Sequence, residues 1–180
     1  EIWADRSALL SHSGSQDLFH GLHQRLGLPE IQAEFRRFPD GESYLRVQSD
    51  VEGRDVLVVC SLDRPDPKLA SLLFTAGTLR EQGARSVVLV APYLSYMRQD
   101  RAFKPGEAVT SRLFAELISQ YFEGLVTVDP HLHRYHSLDE IYSLPTRTLH
   151  AGEHLSSWIG DNVDHPLLVG PDSESRQWVS

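Results

Sequence analysis

Short apolar runs alternate along this chain with longer stretches whose apolar residues recur every three or four positions. Ile2-Trp3-Ala4 predicts a short first strand. Residues 13–26 predict a helix with Leu18, Phe19, Leu22 and Leu26 on one face and Gly27 as its stop. Residues 31–38 and 43–47 predict two strands flanking the turn Pro39-Asp40-Gly41. The β-branched run 55–60 has the composition of a buried parallel strand. Residues 67–82 carry Leu69, Leu72, Leu73, Ala76 and Leu79 at helical spacing before Gly83, and 86–91 is a further strand. After a polar loop, Thr110 is expected to cap a helix reaching about Phe122, with Leu113, Phe114, Leu117 and Ile118 on its apolar face. Residues 125–128 predict a strand, 151–159 a helix and 166–169 a short strand.

Strands separated by helices imply an α/β fold: a doubly wound, mostly parallel sheet with helices on both faces. Ligands of such sheets sit beyond the carboxyl ends of the strands. That rule singles out three loops, 93–109, 129–136 and 170–175. The last stretch, 170–180, begins as a strand-to-helix turn and stops after about two helical turns with apolar Val179. The expected organisation is one domain over 1–150 and the incomplete start of a second, similar one over 151–180.

Charge and composition narrow the function. The net charge of −8, from 17 basic and 25 acidic residues, argues against nucleic acid as a partner, while a few arginines can still make a local site for an anionic substrate. The single cysteine, Cys60, excludes a disulfide within the chain and suits a cytoplasmic setting. Its apolar neighbours make it a core residue. No stretch is long and apolar enough to span a membrane, so no membrane partner is expected.

Four clusters carry candidate chemistry. In Phe38-Pro39-Asp40-Gly41-Glu42 the central Pro39, Asp40 and Gly41 are turn formers, which leaves Phe38 and Glu42 unexplained; an aromatic face beside two carboxylates also suits a purine ring and its exocyclic amine. Tyr96-Met97-Arg98-Gln99-Asp100-Arg101 follows a buried strand, and two arginines three apart could grip a triphosphate. The alternative there is a surface ion pair of Asp100 with a neighbouring arginine. Asp129-Pro130-His131-Leu132-His133-Arg134-Tyr135-His136 holds three histidines at a spacing that matches neither a zinc finger nor a helical metalloprotease motif. One histidine could help hold Mg²⁺ if oxygen ligands accompany it; His133 and His136 read as polar loop surface. Asp172, in Gly170-Pro171-Asp172-Ser173, could cap a helix or take a metal or hydroxyl role.

In this order and at these separations the clusters resemble the phosphoribosyl pyrophosphate synthetase family, N-terminal half. Phe38 to Glu42 matches its FPDGE element. Pro92-Tyr93 with Tyr96 to Arg101 matches PY-x-x-YARQDR, with Met97 for alanine. Thr127 to His131 matches TVDLH, with Pro130 for leucine, and Gly170-Pro171-Asp172 resembles SPD. The resemblance implies a phosphoribosyltransferase-like fold and a diphosphoryl transfer from Mg·ATP to the C1 hydroxyl of ribose 5-phosphate, releasing AMP. It implies Phe38, Asp40 and Glu42 on adenine, Arg98 and Gln99 on nucleotide, His131 on nucleotide-bound metal, and His131 with Asp172 on Mg²⁺. It further implies a homo-oligomer with the adenine site at a subunit interface. The family's catalytic lysine–arginine loop and its ribose 5-phosphate loop fall beyond the equivalent of Ser180, so the catalytic residues are not assigned and residues 1–180 alone are expected to be inactive. A non-catalytic, nucleotide-binding or regulatory relative is the alternative.

Overall fold

The structure, a computed structural model, describes residues 6–167 and 169. The chain divides into two compact units with the break between Thr148 and Leu149. In chain order the elements are β1 (Ser7–Ser11), α1 (Gln16–Leu26), β2 (Ala33–Arg37), β3 (Ser43–Val47), β4 (Asp55–Val59), α2 (Asp66–Glu81), β5 (Ser86–Ala91), α3 (Thr110–Tyr121), β6 (Gly124–Val128), β7 (Thr146–Leu149) and α4 (Gly152–Asn162).

The main sheet has the order β1-β4-β5-β6-β7. Its β1–β4, β4–β5 and β5–β6 pairs are all parallel. Period-two alternation sorts its side chains between two faces. Ala8, Leu10, Val56, Val58, Val87, Leu89 and Ala91 join Leu72, Ala76 and Leu79 of α2 and Phe114, Ala115 and Ile118 of α3 in the larger core. Leu9 and Val59 face the other way, where Phe19 of α1 and Leu28 cover them. Helices on both faces of a mostly parallel sheet are the expected α/β class. Each fully buried aliphatic side chain here stabilises by roughly 1.5–3 kcal/mol relative to exposure.

β2 and β3 form a separate antiparallel hairpin, with Phe35 opposite Leu45 and Ala33 opposite Val47. Its strand β3 lies against α2. The second unit contains α4, none of whose residues is buried; Leu155 and Trp158 are 59% and 60% exposed.

Several expectations need correction. The first described strand is Ser7–Ser11, which the sequence pattern did not single out; residues 2–4 lie outside the described residues. β7 was likewise not foreseen. In α1 only Phe19 is fully buried, in a small cluster with Leu9, Leu28 and Val59, while Leu18 and Leu26 are 40% and 50% exposed. Gly27 does end that helix, at φ 62 in the left-handed region where glycine carries no Cβ penalty. In α3, Leu113 is 60% exposed and Ser111 takes an inward position with Phe114, Ala115 and Ile118. Thr110 makes no side-chain cap; its hydroxyl donates instead to the Tyr96 carbonyl at 3.5 Å. Pro166, Leu167 and Val169 lie in no strand.

Candidate functional site

Because β4, β5 and β6 run parallel, the loops that follow them emerge on one edge of the sheet. A cleft of about 450 Å³ opens there, lined by Leu62 to Pro65 after β4, by Tyr93 to Gln99 after β5, by Thr110 and by His131 after β6. Of the residues singled out from sequence, Arg98, Gln99 and His131 meet in this cleft. Phe38, Asp40 and Glu42 do not line it and sit on the β2–β3 hairpin. Asp172 lies outside the described residues.

The loop after β5 is held by partners distant in sequence. Asp100 is buried, and both of its carboxylate oxygens accept from Arg134 Nη1, at 2.8 and 2.9 Å. The Tyr135 hydroxyl lies 3.2 Å from the Asp100 carbonyl and 3.2 Å from Ser111 Oγ. The Ser111 amide in turn donates to the Gln99 carbonyl at 3.3 Å. This network corrects the expectation of a surface ion pair: Asp100 is spent on bracing the Arg98 loop against the His131 loop. Tyr96 takes φ 59, sparse for a bulky residue, and its hydroxyl donates to Asp66 Oδ1 at the start of α2. Burial first, and the Asp66 carboxylate second, push the Tyr96 phenol up to about 12, so it stays a donor. Ser95 Oγ, also in the cleft wall, is buried with no hydrogen-bond partner among the described residues.

Charge at the cleft is unevenly committed. Lys68 Nζ donates to Asp63 Oδ1 at 2.7 Å and to the Ser61 carbonyl at 2.8 Å. The bond from Lys68 first, and one from the Ser61 side chain second, hold the Asp63 carboxyl below the usual carboxylate range. Arg64 and Arg98 are both exposed, and neither makes a hydrogen bond, ion pair or ring contact among the described residues. The β4–α2 loop carrying Asp63 and Arg64 was missed in the sequence, although the carboxyl-edge rule applies to it equally.

His131 is exposed and its ring lies edge-on to that of His133, with centroids 3.9 Å apart. His133 and His136 are exposed loop residues as expected, and the His136 amide donates to Glu140 Oε1 at 2.7 Å. Among the described residues no group of three or more His, Cys, Asp or Glu could hold a metal ion. A protein-only metal cage is therefore not formed by them. Mg²⁺ is usually held through one or two carboxylates together with substrate phosphates and water; of the residues lining this cleft, Asp63 and His131 are those that could contribute to such a site.

The hairpin turn is a compact unit of its own. The Phe38 amide donates to the Glu42 carbonyl at 2.8 Å and the Gly41 amide to the Phe38 carbonyl at 2.9 Å. Asp40 Oδ1 accepts from the Glu42 amide at 3.1 Å, and Gly41 takes φ 94, which glycine allows. Arg37 ties the turn to α2 by donating to the Gly41 and Pro67 carbonyls at 3.0 and 2.6 Å. Phe38 stays 40% exposed, edge-on to Tyr44, with the Arg36 guanidinium 4.8 Å from its ring centroid.

Residues 7–121 match the family described as the N-terminal domain of ribose phosphate pyrophosphokinase. The chain belongs to this family. The match takes in both the hairpin and the Arg98 loop of the pyrophosphokinase domain. Among relatives, the ribose-phosphate pyrophosphokinase of Saccharolobus solfataricus is 32% identical over 166 residues, 91% of this chain and 56% of its own length. That of Methanothermobacter thermautotrophicus is 38% identical over 170 residues, 91% of this chain and 56% of its own. The crystal structure of phosphoribosylpyrophosphate synthetase from Mycobacterium smegmatis shares the fold, with a TM-score of 0.79 at 22% identity over 87% of this chain and 52% of that one. The chain thus spans little more than half the length of the pyrophosphokinases it matches. No helix among the described residues is long and apolar enough to cross a membrane.

Proposed function

We propose that this chain is the nucleotide-binding, N-terminal portion of a ribose-phosphate diphosphokinase. The reaction transfers the diphosphoryl group of Mg·ATP to the C1 hydroxyl of ribose 5-phosphate, giving phosphoribosyl pyrophosphate and AMP. The observation that carries this reading is the meeting of Arg98, Gln99 and His131 in one cleft at the carboxyl edge of the sheet.

Transfer of a phosphoryl-type group asks a protein mainly for positioning and charge neutralisation. Arg98 offers an uncommitted guanidinium to the polyphosphate, and Gln99 offers an amide from a segment whose backbone Ser111 fixes. His131, with Asp172, would hold Mg²⁺ against the phosphates; the ion would neutralise phosphate charge when bound. Phe38, Asp40 and Glu42 are assigned to adenine on a neighbouring subunit's nucleotide, which their place on the hairpin, away from the cleft, supports. The break after Thr148 supports a first domain ending near 150 and a second beginning at 151.

The test has two parts. Calorimetry on residues 1–180 should show Mg²⁺-dependent ATP binding that Arg98→Ala weakens about tenfold, the scale of one charge-assisted hydrogen bond. AMP release with ATP, Mg²⁺ and ribose 5-phosphate should be absent from these residues alone, because the lysine–arginine and ribose 5-phosphate loops are assigned elsewhere. Turnover within about tenfold of a full-length relative would show that the catalytic groups are misplaced. Light scattering over a dilution series, with and without ATP, checks the shared adenine site: a strict monomer binding ATP at full affinity would refute it.

A further inference from the structure

The β4–α2 loop contributes a residue to the cleft that no motif marks. Arg64 lines the cleft with Arg98 and His131 and is exposed to solvent. Its backbone sits at φ 63, a left-handed conformation that a long side chain rarely adopts. Such strain persists only where the surroundings enforce it, and it gathers at ligand sites.

The neighbouring charges leave Arg64 available. Asp63, the adjacent carboxylate, already accepts from Lys68 Nζ at 2.7 Å, and Lys68 is closed off between Asp63 and the Ser61 carbonyl. The other exposed guanidinium of the cleft, Arg98, comes from the loop after β5, the strand hydrogen-bonded to β4. Two arginines on the loops of adjacent parallel strands therefore flank one opening in a chain whose net charge is −8. That is local electropositive character against the overall balance, and two planar guanidinium groups at one opening suit the oxygens of a polyphosphate.

We infer that Arg64 is a phosphate-binding residue of the cleft, gripping the polyphosphate of the bound nucleotide together with Arg98. This rests on the proposed nucleotide site and adds a contact to it. At this left-handed position arginine stands where glycine would be the unstrained choice.

The backbone conformation supplies a clean test. Arg64→Gly removes the guanidinium while relieving the strained φ, so the fold is not harmed. Inorganic tripolyphosphate and Mg·ATP are titrated calorimetrically into wild type, Arg64→Gly and Arg64→Lys at low ionic strength. Dissociation constants for both ligands should rise about tenfold in Arg64→Gly, with a smaller rise in Arg64→Lys, which keeps the charge and loses the fork. The melting temperature of Arg64→Gly should be unchanged or higher. Wild-type affinity for tripolyphosphate in Arg64→Gly would overturn the assignment and leave the nucleotide site standing. A weakened affinity accompanied by a lower melting temperature would overturn it too, since the loss would come through the fold. Wild type that binds neither ligand would overturn the proposed nucleotide site and Arg64's role together.

Discussion

His12 is a base that the fold keeps neutral. Its Nδ1 lies 3.0 Å from Ser13 Oγ and 3.4 Å from Cys60 Sγ, and its Nε2 lies 3.1 Å from Ser71 Oγ. The ring stands edge-on to Phe35 of the hairpin at 4.9 Å. Burial, with a further push from Lys68, lowers its pKa to about 4 from the ordinary 6.5. The same burial raises the Cys60 thiol, which leaves it a core residue rather than a nucleophile. Between pH 6.5 and about 4 the unfolded chain takes up a proton at His12 that the folded chain refuses. Stability at this residue is therefore full above pH 6.5 and is lost as pH falls through that window, by an amount on the order of 3 kcal/mol. Urea unfolding measured at half-unit pH steps should show this slope, and His12→Gln should flatten it. An unchanged slope in the variant would mean that other groups carry the acid sensitivity.

At the level of elements, α3 shows what periodicity can and cannot say. Leu113 and Phe114 are adjacent apolar residues in one predicted stripe, yet Phe114 is 4% exposed and Leu113 60%. The helix buries the line through Ser111, Phe114, Ala115 and Ile118, and Leu113 lies about 100° around the helix from Phe114, off that line. Phe114→Ala should cost about 3–5 kcal/mol of unfolding free energy by opening the core, while Leu113→Gln should stay within about 0.5 kcal/mol. Equal costs would contradict this placement of the helix. The strand over 86–91 and the hairpin around Pro39-Asp40-Gly41 were legible because β-branched runs and turn formers act locally. β1 was not, since Ala8-Leu9-Leu10 is too short a run to show a period and its burial comes from β4, far along the chain. The site divides in the same way. Arg98, Gln99 and His131 could be read from motifs after strand ends. The Asp100–Arg134 brace and the approach of Arg64 depend on loops from different strands meeting, which no local pattern encodes.

For the molecule as a whole, the position of β1 has a kinetic consequence. Ser7 pairs with Asp55 and Ser11 with Val59, so α1 and the entire hairpin are looped out between the two strands. The pairs β4–β5 and β5–β6 each enclose a single helix and its connections. Closing the larger, more elaborate loop costs more chain entropy before any contact repays it. The β4–β5–β6 segment with α2 and α3 is thus the natural nucleus, and β1 joins it late. Leu10 is fully buried in the core cluster shared with Val56 and Val58. In stopped-flow experiments Leu10→Ala should steepen loss of the native state mainly by raising the unfolding rate, with the refolding rate little changed; a slowed refolding arm would place β1 in the nucleus instead. A strand that docks last is also a strand that can leave first. Its departure would carry away His12 and uncover the flank of β4, whose following loop bears Arg64. The lifetime of the cleft would then be set at the sheet's edge, by the residence time of β1, rather than at the residues that line the opening.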